Sequence, residues 1–329
     1  MPVPRKGPVT YSGPLAEVLL GLIAEKRGAG YRYDAAAHDF LPMDRFCAEA
    51  GHRDVSLPRD LVLRWAAKRP HEAESTRRQR ISLIRIVAEY MQRNGHAAYV
   101  YPTRADGRAA PLYAPHIFTR GELARLFTSI DATRSVQAAP WRHRVLPMLF
   151  RLLYGCGLRI SEALALRMED VNLELGVIHI RDAKFGKERV VPLHPALTER
   201  FRSYLATLPV LSNTDHAVFP SSAGSAYLAG TVYKHFRRFL WSAGISHGGR
   251  GRGPRLHDLR HTFAVHCLQG WVTDGVDVSV ALPYLSAYLG HTGLKGTQHY
   301  RRLTAELYPH IVAAAERHAG SLLLGEGSA

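Results

Sequence analysis

Two short runs in this chain carry side chains able to work on a phosphate. His-Asp-Leu-Arg-His, His257 to His261, puts an imidazole and a guanidinium three residues apart. On a helix, residues at that spacing share a face. Arginine grips an oxyanion through two parallel hydrogen bonds, so His257 and Arg260 have the makings of a phosphate clamp. Leu289-Gly290-His291 adds another imidazole, and nine residues later Tyr300 offers a hydroxyl able to act as a nucleophile. Gly293 and Gly296 break the chain between them, which places Tyr300 on a separate element that could swing toward the clamp.

Imidazoles at i and i+4, here His257 and His261, also occur in zinc proteases. Those enzymes need the Glu of His-Glu-x-x-His, and Asp258 is not its equivalent. No metal ligand set is therefore expected, and His261 is read as a supporting or core histidine.

Upstream, Gly155 and Gly157 stop an apolar run (Val145, Leu146, Leu149, Phe150, Leu153), and Arg159 follows at once. Glu162 lies three residues further on, within helical reach of a guanidinium, including that of Arg159. Together these stretches resemble the tyrosine recombinase (phage integrase) family. The resemblance rests on His257-Asp-Leu-Arg-His-Thr-Phe-Ala264, on Leu289-Gly-His291, on Thr297-Gln-His-Tyr300, on Gly157-Leu-Arg-Ile-Ser-Glu-Ala-Leu164, and on the segment Ala183 to Leu193. These blocks stand in the family's order and cover most of residues 116 to 303.

The resemblance implies a catalytic set of Arg159, Lys184, His257, Arg260, His291 and Tyr300, supported by Glu162 and His261. Aligning Lys-Glu-Arg-Val-Val-Pro-Leu with the family's strand puts Lys184, rather than Lys187, at the catalytic position. The chemistry also follows from the residue types. Breaking a phosphodiester without metal needs a nucleophile, positive charge on the non-bridging oxygens and an acid for the leaving oxygen. Tyr300, the two arginines with the two histidines, and Lys184 fill those roles, and a covalent 3′-phosphotyrosine would let the strand be rejoined without ATP. No cofactor is expected. The rival readings are a type IB topoisomerase-like enzyme and a DNA-binding relative that has lost the chemistry.

Composition agrees with a polyanionic partner. Among 329 residues, 43 are basic and 28 acidic, a formal charge of +15. Such an excess favours nucleic acid, although only seven of the 43 are lysine, which also fits an arginine-rich genomic bias. Cys47, Cys156 and Cys267 are scattered, which argues for a reducing compartment and against a disulfide framework. No stretch approaches the ~18 uninterrupted apolar residues of a membrane span. A soluble cytoplasmic protein with no membrane partner is expected.

The elements that must position these residues can be read in order. Residues 1–13, with Pro2, Pro4, Pro8 and Gly13, form a flexible arm. Residues 14–100 carry four helical patterns: one ending at Gly28, one over Asp34 to Ala50, one from Leu57-Pro58 through Trp65, and one over Ser75 to Gln92. The last bears Arg77, Arg78, Arg80 and Arg85, which could lie along phosphates or form a solvated basic face. By resemblance, this helical segment is the family's core-binding (SAM-like) domain. Residues 101–115, with Pro102, Gly107, Pro111 and Pro115, make a linker, so two domains could close round a duplex.

A catalytic domain over 116–310 is then expected to begin at Thr119, an N-cap with Glu122 as its capping-box partner. Val177 to Arg181 and Arg189 to Leu193 alternate about Gly186 and predict a hairpin with Lys184 and Lys187 at its turn. Helices are expected over 195–208 and 230–243, followed by a basic loop with Arg250, Arg252 and Arg255 that could touch phosphates. The predicted fold class is mainly α with a small β-sheet. The tail, 311–329, ends in Leu322-Leu323-Leu324, an exposed apolar run that suggests a partner surface. The family resemblance implies double-stranded DNA as partner, a homotetramer on synapsed sites, possible related recombinases, and docking of the tail on a neighbouring protomer.

Overall fold

The structure is a computed structural model that describes residues 9–31, 33–102, 114–181, 188–208, 217–222, 224–249 and 253–290. The described residues up to 102 form one compact unit and those from 114 form another.

The first unit is all helical: α1 (Ala16–Gly28), α2 (Asp34–Asp39), α3 (Leu41–Glu49), α4 (Arg59–Ala66) and α5 (Glu74–Arg93). Val18, Leu19, Leu22 and Ile23 of α1 and Ile81, Ile84, Val87, Ala88 and Met91 of α5 form helical-period stripes. Both stripes are buried in one core with Trp65. The single helix expected over 34–50 is broken at Phe40 into α2 and α3. Pro42 explains the break, because it has no N–H to continue an α-helical ladder and suits a first turn instead.

The second unit holds α6 (Arg120–Asp131), α7 (Arg142–Gly155), α8 (Ile160–Ala165), a 3-10 turn (Met168–Asp170), β1 (Val171–Asn172), β2 (Val177–Ile180), β3 (Arg189–Pro192), α9 (Pro195–Ala206), α10 (Ala229–Ser242), α11 (Asp258–Thr273) and α12 (Val278–Leu289). This mainly helical architecture with one small sheet is the fold class the sequence predicts. α7 buries seven of its side chains, Val145, Leu146, Met148, Leu149, Phe150, Leu152 and Leu153, as a helix apolar on most sides must. α6, α9 and α11 pack against it. The expected capping box starts α6: Glu122 N donates to Thr119 Oγ1 (3.2 Å) and Thr119 N donates to Glu122 Oε2 (2.8 Å).

The hairpin is present as β2 and β3, antiparallel, with Ile178 opposite Val191 and Ile180 opposite Arg189. β1, two residues long and too short to carry an alternation, adds an edge strand that the sequence reading missed. The register leaves Arg189 at the end of the ladder nearest the turn, whose residues 182–187 lie outside the described set.

Gly157 follows α7 at φ +58, a left-handed conformation, where an added Cβ would lie 2.5 Å from Phe263 Cδ1 and 3.0 Å from Leu289 Cδ2. Gly270, inside α11, has open space around it. Gly157→Ala should therefore destabilise the protein by about 2 kcal/mol or more, from the left-handed cost of roughly 1–2 kcal/mol together with overpacking. Gly270→Ala should stabilise it by roughly 0.5–1 kcal/mol through helix propensity. Chemical unfolding of the two variants beside wild type checks both signs.

Candidate active site

Arg159 stands where α7 gives way to α8. Its backbone is extended (φ −71, ψ 147) as the residue before the first turn of α8. Glu162, in that turn, folds back over it: the Arg159 backbone N–H donates to Glu162 Oε2 (2.9 Å) and Arg159 Nη1 donates to Oε1 (2.6 Å). Arg159 Nη2 donates to the carbonyl of Gly290 at 3.2 Å. Its side chain keeps 22% exposure, so one edge faces solvent.

Arg260, one turn into α11, is 1% exposed. Its Nη1 donates to Gly157 O (2.8 Å) and its Nη2 to Leu289 O. Arg260 Nη1 also lies 3.8 Å from Glu162 Oε2. The fold thus brings Arg159 and Arg260, about a hundred residues apart in sequence, to the same carboxylate.

A third guanidinium reaches that carboxylate, and the sequence reading gave it no role. Arg189, the first residue of β3, donates Nη1 to Glu162 Oε1 (3.1 Å), Nη2 to Oε2 (2.9 Å) and Nε to Tyr288 O (2.8 Å). Its only local signal was an arginine opening a strand just after the Lys184 turn. Nothing nearby in sequence names Glu162 as its partner.

Burial of the Glu162 side chain, which is 4% exposed, would push its carboxyl upward. Hydrogen bonds from Arg189, then the backbone and side chain of Arg159, outweigh burial and hold it down to about 2. Among the described residues, three cations around one anion leave two positive charges beyond what Glu162 offsets (3 − 1 = 2). That surplus suits an anionic ligand.

The histidines are arranged differently from the expected shared face. His257 caps α11 and is exposed, with its ring edge-on to His261 at 4.8 Å between centroids. Arg260 instead points inward, because the carbonyls of Gly157 and Leu289 draw its guanidinium under the surface. Asp258 is fully buried and accepts the backbone N–H groups of Arg255 (2.8 Å) and His116 (3.3 Å), so it ties the loop before α11 to the start of the unit. Lys184, His291 and Tyr300 lie outside the described residues, as do Arg250, Arg252 and the tail 311–329. Arg255 is exposed.

In the helical unit the four arginines of α5 separate. Arg80 is buried and cannot lie along a phosphate as expected. It donates Nε to Glu72 Oε1 (2.6 Å) and Nη2 to Ala67 O (3.0 Å), and it lies over the Trp65 ring (5.0 Å). The reason is tertiary, since Glu72 and the end of α4 sit beneath this position. Arg77 donates Nε to Ala66 O (2.8 Å) and pairs with Glu74, while Arg78 and Arg85 remain at the surface edge beside Glu74 and Glu89.

With the fold and site in hand, comparison with known proteins is decisive for the class. The model of the phage integrase family matches residues 117–306. A putative integrase/recombinase, y4rE, of Sinorhizobium fredii is 31% identical over 92% of this chain and 95% of its own length. Tyrosine recombinase XerC of Rhodospirillum centenum is 32% identical over 77% of this chain and 69% of its own. The Tn1549 transposon integrase, solved with circular intermediate DNA, shares the fold at 15% identity and a TM-score of 0.62, covering 86% of this chain and 93% of that one. XerH recombinase bound to a palindromic difH substrate does so at 21% identity and a TM-score of 0.59, covering 86% and 79%. The chain belongs to the phage integrase family, the tyrosine-type site-specific recombinases. That class takes precedence over the topoisomerase-like and catalytically silent readings. Among the described residues, no helix is long and apolar enough to cross a membrane.

The depressed Glu162 carboxyl sets a pH signature. Its folded value of about 2 lies below the ordinary 4.5, so its contribution to stability is complete above about pH 4.5 and is lost as pH falls through 2. Unfolding free energy should decline across that window. Glu162→Gln should be less stable at pH 7 and show a flatter decline, measured by denaturant titration at a series of pH values.

Proposed function

We propose that this recombinase cuts and rejoins double-stranded DNA at a specific site through a 3′-phosphotyrosine on Tyr300. The observation that supports it most is the gathering of Arg159 and Arg260 at one carboxylate with positive charge to spare. A scissile phosphate arriving there displaces a neutral partner, the Gly290 carbonyl, from Arg159 Nη2. Arg260, buried beneath, adds its field at short range in a site where little water screens it.

Tyr300 Oη then attacks phosphorus as its proton passes to His257 or His291, and the bond to the 5′ oxygen breaks as Lys184 delivers a proton to that oxygen. His257 and His291 donate hydrogen bonds to the non-bridging oxygens or carry protons. The reverse attack by a 5′ hydroxyl restores the phosphodiester and frees Tyr300, so no energy source is consumed. His261 supports the His257 ring, the two being in edge contact.

The helical unit acts as the core-binding domain over 14–100, joined through 101–115 to a catalytic domain over 116–310. Arg77, Arg78 and Arg85 remain its DNA-facing set, with Arg250, Arg252 and Arg255 serving the catalytic domain. Assembly as a homotetramer on paired sites, alone or with related recombinases, suits a chain whose biological setting is a mobile element. A cytoplasmic location fits a DNA partner.

Tyr300→Phe should keep DNA affinity yet form no covalent adduct on a nicked suicide duplex carrying the recognised site. Arg159→Lys should slow cleavage by about 10²-fold or more, because lysine keeps the charge and loses the fork. An adduct persisting in Tyr300→Phe, read on a denaturing gel, would place the nucleophile elsewhere, with Tyr308 the next candidate. Cleavage should be indifferent to EDTA, and inhibition reversed by one specific ion would sink the metal-free scheme.

The tail, 311–329, is proposed to dock through Leu322, Leu323 and Leu324 on a neighbouring protomer. Its deletion should leave single-site binding intact while weakening synapsis and recombination. Gel-shift cooperativity on paired sites decides the matter, and unchanged cooperativity with unchanged recombination rules docking out.

A further inference from the structure

Glu162 is the partner of Arg159, and it is also a competitor for it. A buried carboxylate with open lone pairs would draw Arg159 into a two-pronged pair, the geometry that guanidinium and carboxylate favour most. A guanidinium bound that way has its best donors turned away from an arriving phosphate. In the structure this does not happen. Arg159 gives Glu162 one side-chain bond, Nη1 to Oε1 at 2.6 Å, while Nη2 rests on the Gly290 carbonyl at 3.2 Å.

Arg189 Nη1 and Nη2 occupy both Glu162 oxygens from another direction, and the Arg159 backbone N–H also donates to Oε2. Arg189 is itself held. Its side chain is 12% exposed, and its Nε is fixed on Tyr288 O at 2.8 Å. Its guanidinium is also wedged against the end of α12, where a Cβ added to Gly290 would come within 2.9 Å of Arg189 Nη1. Gly290 takes φ +66 there, so the turn that admits Arg189 is the one that presents the carbonyl to Arg159. Through one side chain, β3 is bound to α8 and to the last turn of α12.

We propose that Arg189 is a positioning residue for strand cleavage: by saturating the Glu162 carboxylate it keeps Arg159 in an end-on pose, with the neutral Gly290 carbonyl, among the described residues, as the partner a phosphate has to displace. This rests on the function proposed above. Arg189 makes no contact with the reacting atoms in this scheme. Without it, Arg159 turns onto Glu162 and meets the phosphate with fewer donors. Displacement of a catalytic group by about 1 Å is enough to cost about 10²-fold in rate.

The test uses full-length protein and a nicked suicide duplex. Its site is selected from random sequence by wild-type binding, and its scissile phosphate is located by mapping the wild-type adduct. Two versions are made, one with the normal phosphate and one with a methylphosphonate at the scissile position. The methylphosphonate lacks the negative charge that Arg159 serves. Arg189→Gln and Arg189→Lys are compared with wild type, with thermal unfolding as a folding control. Lysine retains a cation beside Glu162 but reaches one oxygen at a time, so it guards against a glutamine variant that fails to fold.

Adduct formation on the phosphate should fall about 10–100-fold in both variants, with duplex affinity within about threefold of wild type. On the methylphosphonate the variants and wild type should converge. In a Glu162→Gln background, Arg189→Gln should add little further loss, since the competitor is already neutral. Equal loss on both substrates would mean that Arg189 only supports the fold, and undiminished cleavage of the phosphate by Arg189→Lys would mean that saturation of Glu162 is not required. Either result overturns the proposal while the recombinase reading stands. Wild-type protein that forms no adduct on the selected duplex would overturn the recombinase reading first.

Discussion

One buried carboxylate holds the charge of the candidate site together. Two guanidiniums about 4 Å apart repel by roughly 4 kcal/mol at the effective dielectric of a protein surface, and a third compounds it. Arg159, Arg189 and Arg260 could not converge without an anion between them, and Glu162 is that anion, at 2.6, 2.9 and 3.8 Å. Its position near the start of α8 is the point on which the first residue of β3 and the first turn of α11 converge. Each must bring its arginine to the same point. The arrangement is also deliberately incomplete in charge, since one carboxylate cannot neutralise three cations. A site balanced internally would give an arriving phosphate nothing to gain.

Beyond Glu162, Arg159 and Arg260 donate to backbone carbonyls. Gly157, Leu289 and Gly290 supply them, at the ends of α7 and α12, where the last carbonyls of a helix have no partner in their own ladder. This is an economical match of orphan acceptors with surplus donors, and the helix dipole favours a cation at each of those ends. It also explains why glycine occupies two of the three positions. Both Gly157 and Gly290 are left-handed, and both are approached so closely that a methyl group would collide with a neighbour. A neutral carbonyl holds an arginine in place when no ligand is present and yields it to a phosphate, which a second carboxylate would not do.

Much of this was legible in the sequence where the signal is local. Apolar stripes at helical spacing marked α1, α5 and α7, the Thr119–Glu122 pair marked the start of α6, and alternating residues about Gly186 marked β2 and β3. The neighbourhood of Arg159 and Glu162 was readable too, being three residues wide. Two failures were local: Pro42 breaks the helix at Phe40, and β1 is too short to carry an alternation. The inward turn of Arg260 and the role of Arg189 instead depend on what lies across the core. A pattern along the chain does not encode what sits 100 residues away. Arg189 shows this most clearly: its partners are Glu162 and the carbonyl of Tyr288, one upstream and one downstream, and nothing in the strand it opens names either.

The arginines also show how far charge counting reaches. A formal charge of +15 points to a polyanion, yet individual cations answer to their surroundings. Arg78 and Arg80 are two residues apart on one helix. The first stays at the surface edge beside Glu74, whereas the second is sunk against Trp65 and held by Glu72, whose carboxyl it pulls down to about 2. Arg80 therefore stabilises a core and has no charge to lend outside it. Arg260 is also buried but differs in character, because its Nη1 and Nη2 donate to carbonyls and the Glu162 carboxylate beside it is shared with two other cations. Burial removes a cation from ligand binding only when an anion of its own is buried with it. By that criterion Arg260 still contributes a field at the candidate site, whereas the charge of Arg80 is offset within its own core, although both are over 90% hidden from solvent.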